Sequence, residues 1–156
     1  MTGVQTCALP ICKAANVSPA WAPDGSRIVF VSDRHGKPQL FSMDTNGGNV
    51  ARFGNGGGYT VNPAWSPKGD KLAYARSAGG FQIFVVNADG SGETQLTFEG
   101  NNERPRWSPD GRLIIFSSRR GGQEALYVMR ADGSGQTKVS RTAGLGQHPV
   151  WTPRGQ

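Results

Sequence analysis

The chain is poor in the residues that carry most protein chemistry. It has two cysteines and two histidines in 156 residues. Both cysteines, Cys7 and Cys12, fall in the first twelve positions, so the rest of the chain offers no disulfide and no thiolate metal site. The two histidines, His35 and His148, stand in different parts of the chain. There is no Gly-x-Ser-x-Gly elbow and no phosphate-binding loop, so a nucleophilic triad would have to be assembled without any local signature. Catalysis is not expected, and no cofactor site is read. No apolar run approaches the ~18 residues of a membrane span. No segment sustains the 3.6-residue period of an amphipathic helix. Acidic residues are the minority, 11 against 17 Lys and Arg, for a formal charge of +6. The bases are scattered beside turns, with Arg119-Arg120 the densest pair, which reads as a solvated surface and not as a nucleic-acid interface.

What is present is periodic. All four tryptophans sit in variants of one phrase: Trp21-Ala22-Pro23-Asp24-Gly25, Trp65-Ser66-Pro67-Lys68-Gly69, Trp107-Ser108-Pro109-Asp110-Gly111 and Trp151-Thr152-Pro153-Arg154-Gly155. They stand 44, 42 and 44 residues apart. A period of this size signals an array of small supersecondary units. Many of the 23 glycines and 10 prolines recur in the same register, which marks repeated turns and not disorder. Residues 1–12 fit no repeat and carry no charge; Met1 to Ile11 is similar to the conceptual translation of a sequencing adapter. They are set apart as a leader, with 13–156 as the folded part and its N-terminal portion missing.

Within one repeat the pattern predicts four short strands. In the second unit these are Pro63-Ala64-Trp65, Lys71 to Ala75, Gln82 to Val86 and Thr94 to Thr97, separated by Ser66 to Gly69, Ser77 to Gly80 and Asn87 to Gly92. The second and third strands are near-continuous β-branched, aliphatic and aromatic runs, the mark of strands buried on both faces. Sheets stacked face to face satisfy that, so the fold class is all-β. The expected architecture is a β-propeller fragment of three four-stranded antiparallel blades plus a C-terminal closing strand. The units run about 19–62, 63–104 and 105–148, with the closing strand at 149–153. Three blades leave two apolar outer faces, and a curved, marginal or self-associating half-ring is expected.

The phrase Pro-x-Trp-Ser-Pro-Asp-Gly resembles the repeat of the TolB-type propeller family. So do Phe30 to Leu40 and the Ala-Asp-Gly-Ser-Gly stretches ending at Gly92 and Gly135. The resemblance runs from about Ser18 to Trp151. It implies the last three of six blades, and His148 to Pro153 is similar to the family's closing end. It also implies a periplasmic, non-enzymatic protein of the Tol–Pal envelope system that supports outer-membrane integrity and cell division. The family's propeller docks the peptidoglycan-associated lipoprotein Pal, and its N-terminal segment engages TolA. Similar repeats occur in the propellers of prolyl-oligopeptidase-like serine peptidases, and that alternative stays open.

Binding residues are expected in the links that dive from the outermost strand of one blade to the innermost strand of the next. Variable polar residues on a repeated framework are where specificity is usually found. Asn62, Asn102, Glu103, Arg104 and His148 are the candidates for partner contact. Asp33, Arg34, Arg76, Ser118 and Arg119, at the ends of the second strands, form a second group on the same face. The tryptophans are read as packing between blades. Asn87 to Ser91 and Asp44 to Gly47 are similar to the start of a calcium loop. The twelfth position from Asn87 is Phe98, without the required acid, so both are read as hairpin turns and no metal site is expected. Gly54 to Gly58 does not open a helix and is read as an interblade loop.

Overall fold

The computed structural model describes residues 14–55, 57–140 and 149–151. Their strands make three four-stranded antiparallel sheets, each a simple up-and-down meander. The first sheet holds β1 (Asn16–Trp21), β2 (Arg27–Ser32), β3 (Gln39–Asp44) and β4 (Ala51–Arg52). The second holds β5 (Thr60–Trp65), β6 (Lys71–Ser77), β7 (Phe81–Asn87) and β8 (Thr94–Gln95). The third holds β9 (Asn102–Trp107), β10 (Leu113–Gly121), β11 (Gln123–Arg130) and β12 (Thr137–Lys138). The strands fall where the repeat places them, with the inner strands starting earlier than expected and the fourth strands shorter. Residues 149–151 are in no strand, and the rest of the expected closing strand and the leader lie outside the described residues.

The turns follow from their residues. In the first three Trp phrases the glycine sits in left-handed backbone, with φ of 69° at Gly25, 72° at Gly69 and 69° at Gly111. Its N–H donates to the carbonyl three residues back, at 2.8–2.9 Å. The proline presets φ at the preceding corner. The turns after the third strands close through side chains: Asp89 Oδ1 accepts from the Ser91 N–H at 2.8 Å and Asp132 Oδ1 from the Ser134 N–H at 2.9 Å. These are Asx turns, and they account for the calcium-like spelling of the loop.

Each innermost strand carries a bulge at the same register. The pairing of β1 with β2 slips between Val17 and Ala20, that of β5 with β6 between Val61 and Ala64, and that of β9 with β10 opposite Ile115 and Ser117. The residue three before the tryptophan is left-handed in all three: Ser18 at 53°, Asn62 at 55° and Arg104 at 56°. A proline follows each of them, and its missing N–H cannot serve the ladder. The extra residue bends the strand end.

Sheets pack face to face through two apolar layers. Val29, Val31, Leu40 and Phe53 of the first sheet meet Leu72, Tyr74, Phe84 and Val86 of the second. Ala73, Ala75, Ile83, Val85 and Leu96 of the second meet Trp107, Ile114, Phe116 and Met129 of the third. The inner strands β1, β5 and β9 consequently stand side by side. The tryptophans set the spacing. Trp65 Nε1 donates to the carbonyl of Ala20 at 3.2 Å, Trp107 Nε1 to that of Ala64 at 3.1 Å, and Trp151 Nε1 to that of Arg106 at 3.2 Å. Each acceptor is the residue just before the preceding tryptophan. Trp21 is 58% exposed, as are Val17 at 50% and Val50 at 43%.

Two predictions follow from this packing and these turns. Trp107→Ala removes a buried indole and its hydrogen bond and should cost ~3–5 kcal/mol. Trp65→Ala should behave alike, whereas Trp21→Ala, at an exposed site, should stay within about 0.5 kcal/mol; urea unfolding measures all three. The second concerns acid. Hydrogen bonds from Ser26, Ser91, Ser108 and Ser134 hold the carboxyls of Asp24, Asp89, Asp110 and Asp132 below their usual range. A carboxyl with a lowered folded pKa contributes stability above its unfolded pKa of 3.8, and loses it as pH falls through the folded value. Replacing all four by Asn should therefore flatten the loss of stability below about pH 4, read from melting temperatures across that range.

Candidate partner-binding face

The connections from second to third strand and from the fourth strand to the next sheet all lie at one end of the sheets. That end is built on Asn101, in the link from β8 to β9. Its Oδ1 accepts the Phe81 N–H at 2.7 Å, its Nδ2 donates to Glu103 Oε1 at 2.7 Å, and its carbonyl accepts the Arg119 N–H at 2.9 Å. One asparagine thus ties the start of β7, the start of β9 and the end of β10 together.

Beneath it lies a polar network that spans the second and third sheets. Thr97 Oγ1 accepts the Ile83 N–H and donates to Gln82 Oε1, at 2.8 and 2.7 Å. Gln82 Nε2 donates to the Gly100 carbonyl at 2.8 Å. Asn102 Nδ2 donates to Gln82 Oε1 and to the Glu99 carbonyl, both at 2.8 Å. Asn102 Oδ1 accepts from Arg120 Nη2 at 3.0 Å. Arg120 also donates to Ser118 Oγ at 3.0 Å and to Gln136 Oε1 at 2.7 Å, with its guanidinium 4.6 Å from the Tyr127 ring centroid. Gln136 Nε2 returns to the Leu96 carbonyl of the second sheet at 2.9 Å. No buried side-chain polar atom among the described residues lacks a partner. A network so fully satisfied rigidifies what it joins.

The expected contact residues divide on this frame. Asn62 and Arg104 are half-buried and occupy the left-handed bulge position. Glu103 is half-buried and turned onto Asn101. Arg104 Nη1 pairs with Glu124 Oε1 at 3.0 Å. Asn102 does not share the rim: it is 0% exposed, and its amide is given over to the network. His148 lies outside the described residues. In the second group Arg34 and Arg119 are exposed, the Arg119 side chain 60% accessible and paired to Glu124 Oε2 at 3.4 Å. Asp33 accepts the Ala15 N–H at 2.8 Å, and Arg34 stacks on Phe41 at 4.6 Å. Two members correct the expectation that the whole group faces a partner. Ser118 is buried under Arg120. Arg76 lies 3.8 Å over the Phe84 ring and pairs with Glu93, which also accepts from Tyr74. Burial, with the Glu93 carboxylate beside it, pushes the Tyr74 phenol upward.

Aromatic residues of the same loops escape a reading that looks for polar variation. Tyr59 is 44% exposed and meets Phe81 edge-on, with ring centroids 5.6 Å apart. Phe98, in the β8–β9 link, is 74% exposed. Large aromatics in loops otherwise made of Gly and Asn were the available signal.

A rigid stack of up-and-down four-stranded sheets, with a networked rim of loops at one end, defines a β-propeller array. The chain belongs to the TolB beta propeller domain family, whose model matches residues 2–155. It is 61% identical over 81 residues to the Tol-Pal system protein TolB of Geobacter sulfurreducens, covering 52% of this chain and 19% of that protein. It is 36% identical over 111 residues to the Tol-Pal system protein TolB of Campylobacter jejuni, covering 70% and 28%. The chain thus spans less than a third of these curated relatives. The solved structure of a putative TolB from Agrobacterium tumefaciens superposes with a TM-score of 0.76 at 30% identity, covering 80% of this chain and 46% of that one. A puromycin-hydrolyzing peptidase of Mycobacterium tuberculosis superposes at 0.72 with 17% identity, covering 83% and 22%, and shares the fold alone.

The close approach of the rim link to the third sheet gives a prediction. A Cβ on Gly100 would lie 2.6 Å from Arg120 Cα, whereas one on Gly79 meets nothing within 4 Å. Both glycines have left-handed φ, 72° and 69°. Gly100→Ala should therefore lower stability by clearly more than the ~1 kcal/mol of backbone strain expected for Gly79→Ala, measured by thermal melts of the two variants.

Proposed function

We propose that this chain is the protein-docking, non-catalytic propeller part of a TolB protein of the Tol–Pal system. The observation that carries the reading is the 61% identity to proteins named for that system. In this reading the protein works in the periplasm. The rim around the β8–β9 link receives the peptidoglycan-associated lipoprotein Pal, and the complex supports outer-membrane integrity and cell division. A TolA contact belongs to the N-terminal segment of the whole protein.

The division of labour at the rim supports the proposal. Asn62, Glu103 and Arg104, with His148, are proposed as partner contacts, and Asn102 as the residue that holds their loop. The framework repeats between sheets while these positions differ, as expected of a scaffold that presents specificity. The peptidase alternative draws on fold likeness alone, and His35, the one histidine among the described residues, is exposed and stacked on Phe41 with centroids 5.6 Å apart.

Titration of the soluble domain of Pal into the protein by calorimetry tests the reading. Saturable binding tighter than ~100 µM is expected of a specific contact. No heat at that concentration would overturn it.

A further inference from the structure

We propose that a second copy of this chain docks head to tail, laying its first sheet against the free face of the third, and that its Trp21 there takes the place of Trp151. The inference rests on packing between sheets and is independent of the docking role proposed above. The first sheet is built, on its preceding side, as the third sheet is. Arg34 Nε donates to Ser32 Oγ at 3.1 Å and Arg34 Nη2 to Asn16 Oδ1 at 3.2 Å. Arg120 makes the same two bonds, to Ser118 and Asn102, both at 3.0 Å. Each guanidinium stands 5.4 and 4.6 Å from its two rings. In the third sheet this assembly is sealed by the second: Phe116, Met129 and Asn102 are all 0% exposed. Among the described residues no sheet precedes the first. A cavity of about 330 Å³ opens there instead, with Pro19, Phe30, Met43 and Val50 among its walls.

The third sheet carries what fits it. Phe53, Leu96 and Val139 hold one position in the three units, each donating its N–H to a third-strand carbonyl, of Leu40, Ile83 and Leu126, at 2.8–2.9 Å. Phe53 and Leu96 enter the layer toward the next sheet and are 5% exposed. Val139 is 49% exposed. Ile115 and Leu126 are counterparts of Val29 and Leu40, and of Ala73 and Ile83, yet are only half-buried. Repeating once more the step that relates successive sheets sets a first sheet after a third, as in any repeat array. That step carries Trp21 to the carbonyl of Arg106, since Trp65 and Trp107 reach those of Ala20 and Ala64. Within one chain Trp151 Nε1 holds the Arg106 carbonyl at 3.2 Å. The terminal phrase and the incoming copy thus compete for one acceptor. The contact is weaker than the internal junctions. Ala125 stands where the second sheet has Gln82, whose Oε1 accepts the Asn102 amide, so the amide of Asn16 meets no such partner. Each copy also carries a formal charge of +6, so screening by salt should strengthen the contact.

Sedimentation velocity of the intact chain across a dilution series is the test, with each variant first checked for unchanged circular dichroism. Species larger than the monomer should accumulate with concentration and with salt. Val50→Asp in the cavity wall, Val139→Asp on the free face and Trp21→Ala should each weaken association roughly tenfold or more. Trp151→Ala should strengthen it several-fold. Phe98→Ser removes a 74% exposed aromatic from the loop end and should change nothing. A monomer at every concentration overturns the inference. So does association that Phe98→Ser weakens as much as Val139→Asp does, or that Val50→Asp leaves intact. Association weakened by Trp151→Ala overturns the exchange of Trp21 for Trp151.

Discussion

The bond from Trp65 and from Trp107 to the main chain of the sheet before it is the constraint on which the array depends. A buried indole N–H must find an acceptor, and here it takes a backbone carbonyl of the neighbouring inner strand. Because the acceptor is main chain, the residue that owns it is free to be Ala20, Ala64 or Arg106. The ring fills the layer while the N–H fixes how far one inner strand is displaced along the next. Everything at the loop end inherits that displacement, including the meeting of Asn101 with Phe81 and Arg119.

Apolar layers alone would let the sheets exchange places, since Val, Leu, Ile and Phe pack without direction. The polar groups between them do not permit it. The second and third sheets are joined by Gln82, Thr97, Asn102, Arg120 and Gln136. The first and second sheets use other means: the Thr60 N–H on the Pro38 carbonyl at 2.9 Å and Arg27 on the Ala88 carbonyl at 3.2 Å. The second sheet adds its own Tyr74–Glu93–Arg76 cluster. Arg34 and Arg120 both stand 5.4 and 4.6 Å from their two rings, yet only Arg120 reaches a network that crosses to another sheet. Directional groups at a junction thus distinguish units that share one framework.

Much of this fold was legible in the residues. The Trp phrase and the doubly buried strands identify the sheets, because burial on both faces leaves no polar alternation in β2, β6 and β7. The glycines of the turns mark left-handed backbone, and the structure has them there. The rim was legible only as a location. Asn102 and Asn101 are adjacent and alike, but the strand's alternation sends the first into the network and leaves the second to organise the surface. Arg76 and Ser118 stand at equivalent strand ends and were expected to face outward. An aromatic ring draws Arg76 inward, and the arginine two residues on covers Ser118.

The sequence by itself determined the repeat, the strand order within each sheet and the turns, since these follow from periodicity and from backbone preferences that act over a few residues. It also placed the chain in its family, through a phrase spelled four times. Tertiary structure decided which tryptophan is exposed and which are covered, since Trp21 and Trp107 share one local setting and differ in whether a sheet stands before them. It decided as well that Asn101 meets both Phe81 and Arg119. Those residues are far apart in the chain and meet only because two sheets are held in register by an indole and a carbonyl.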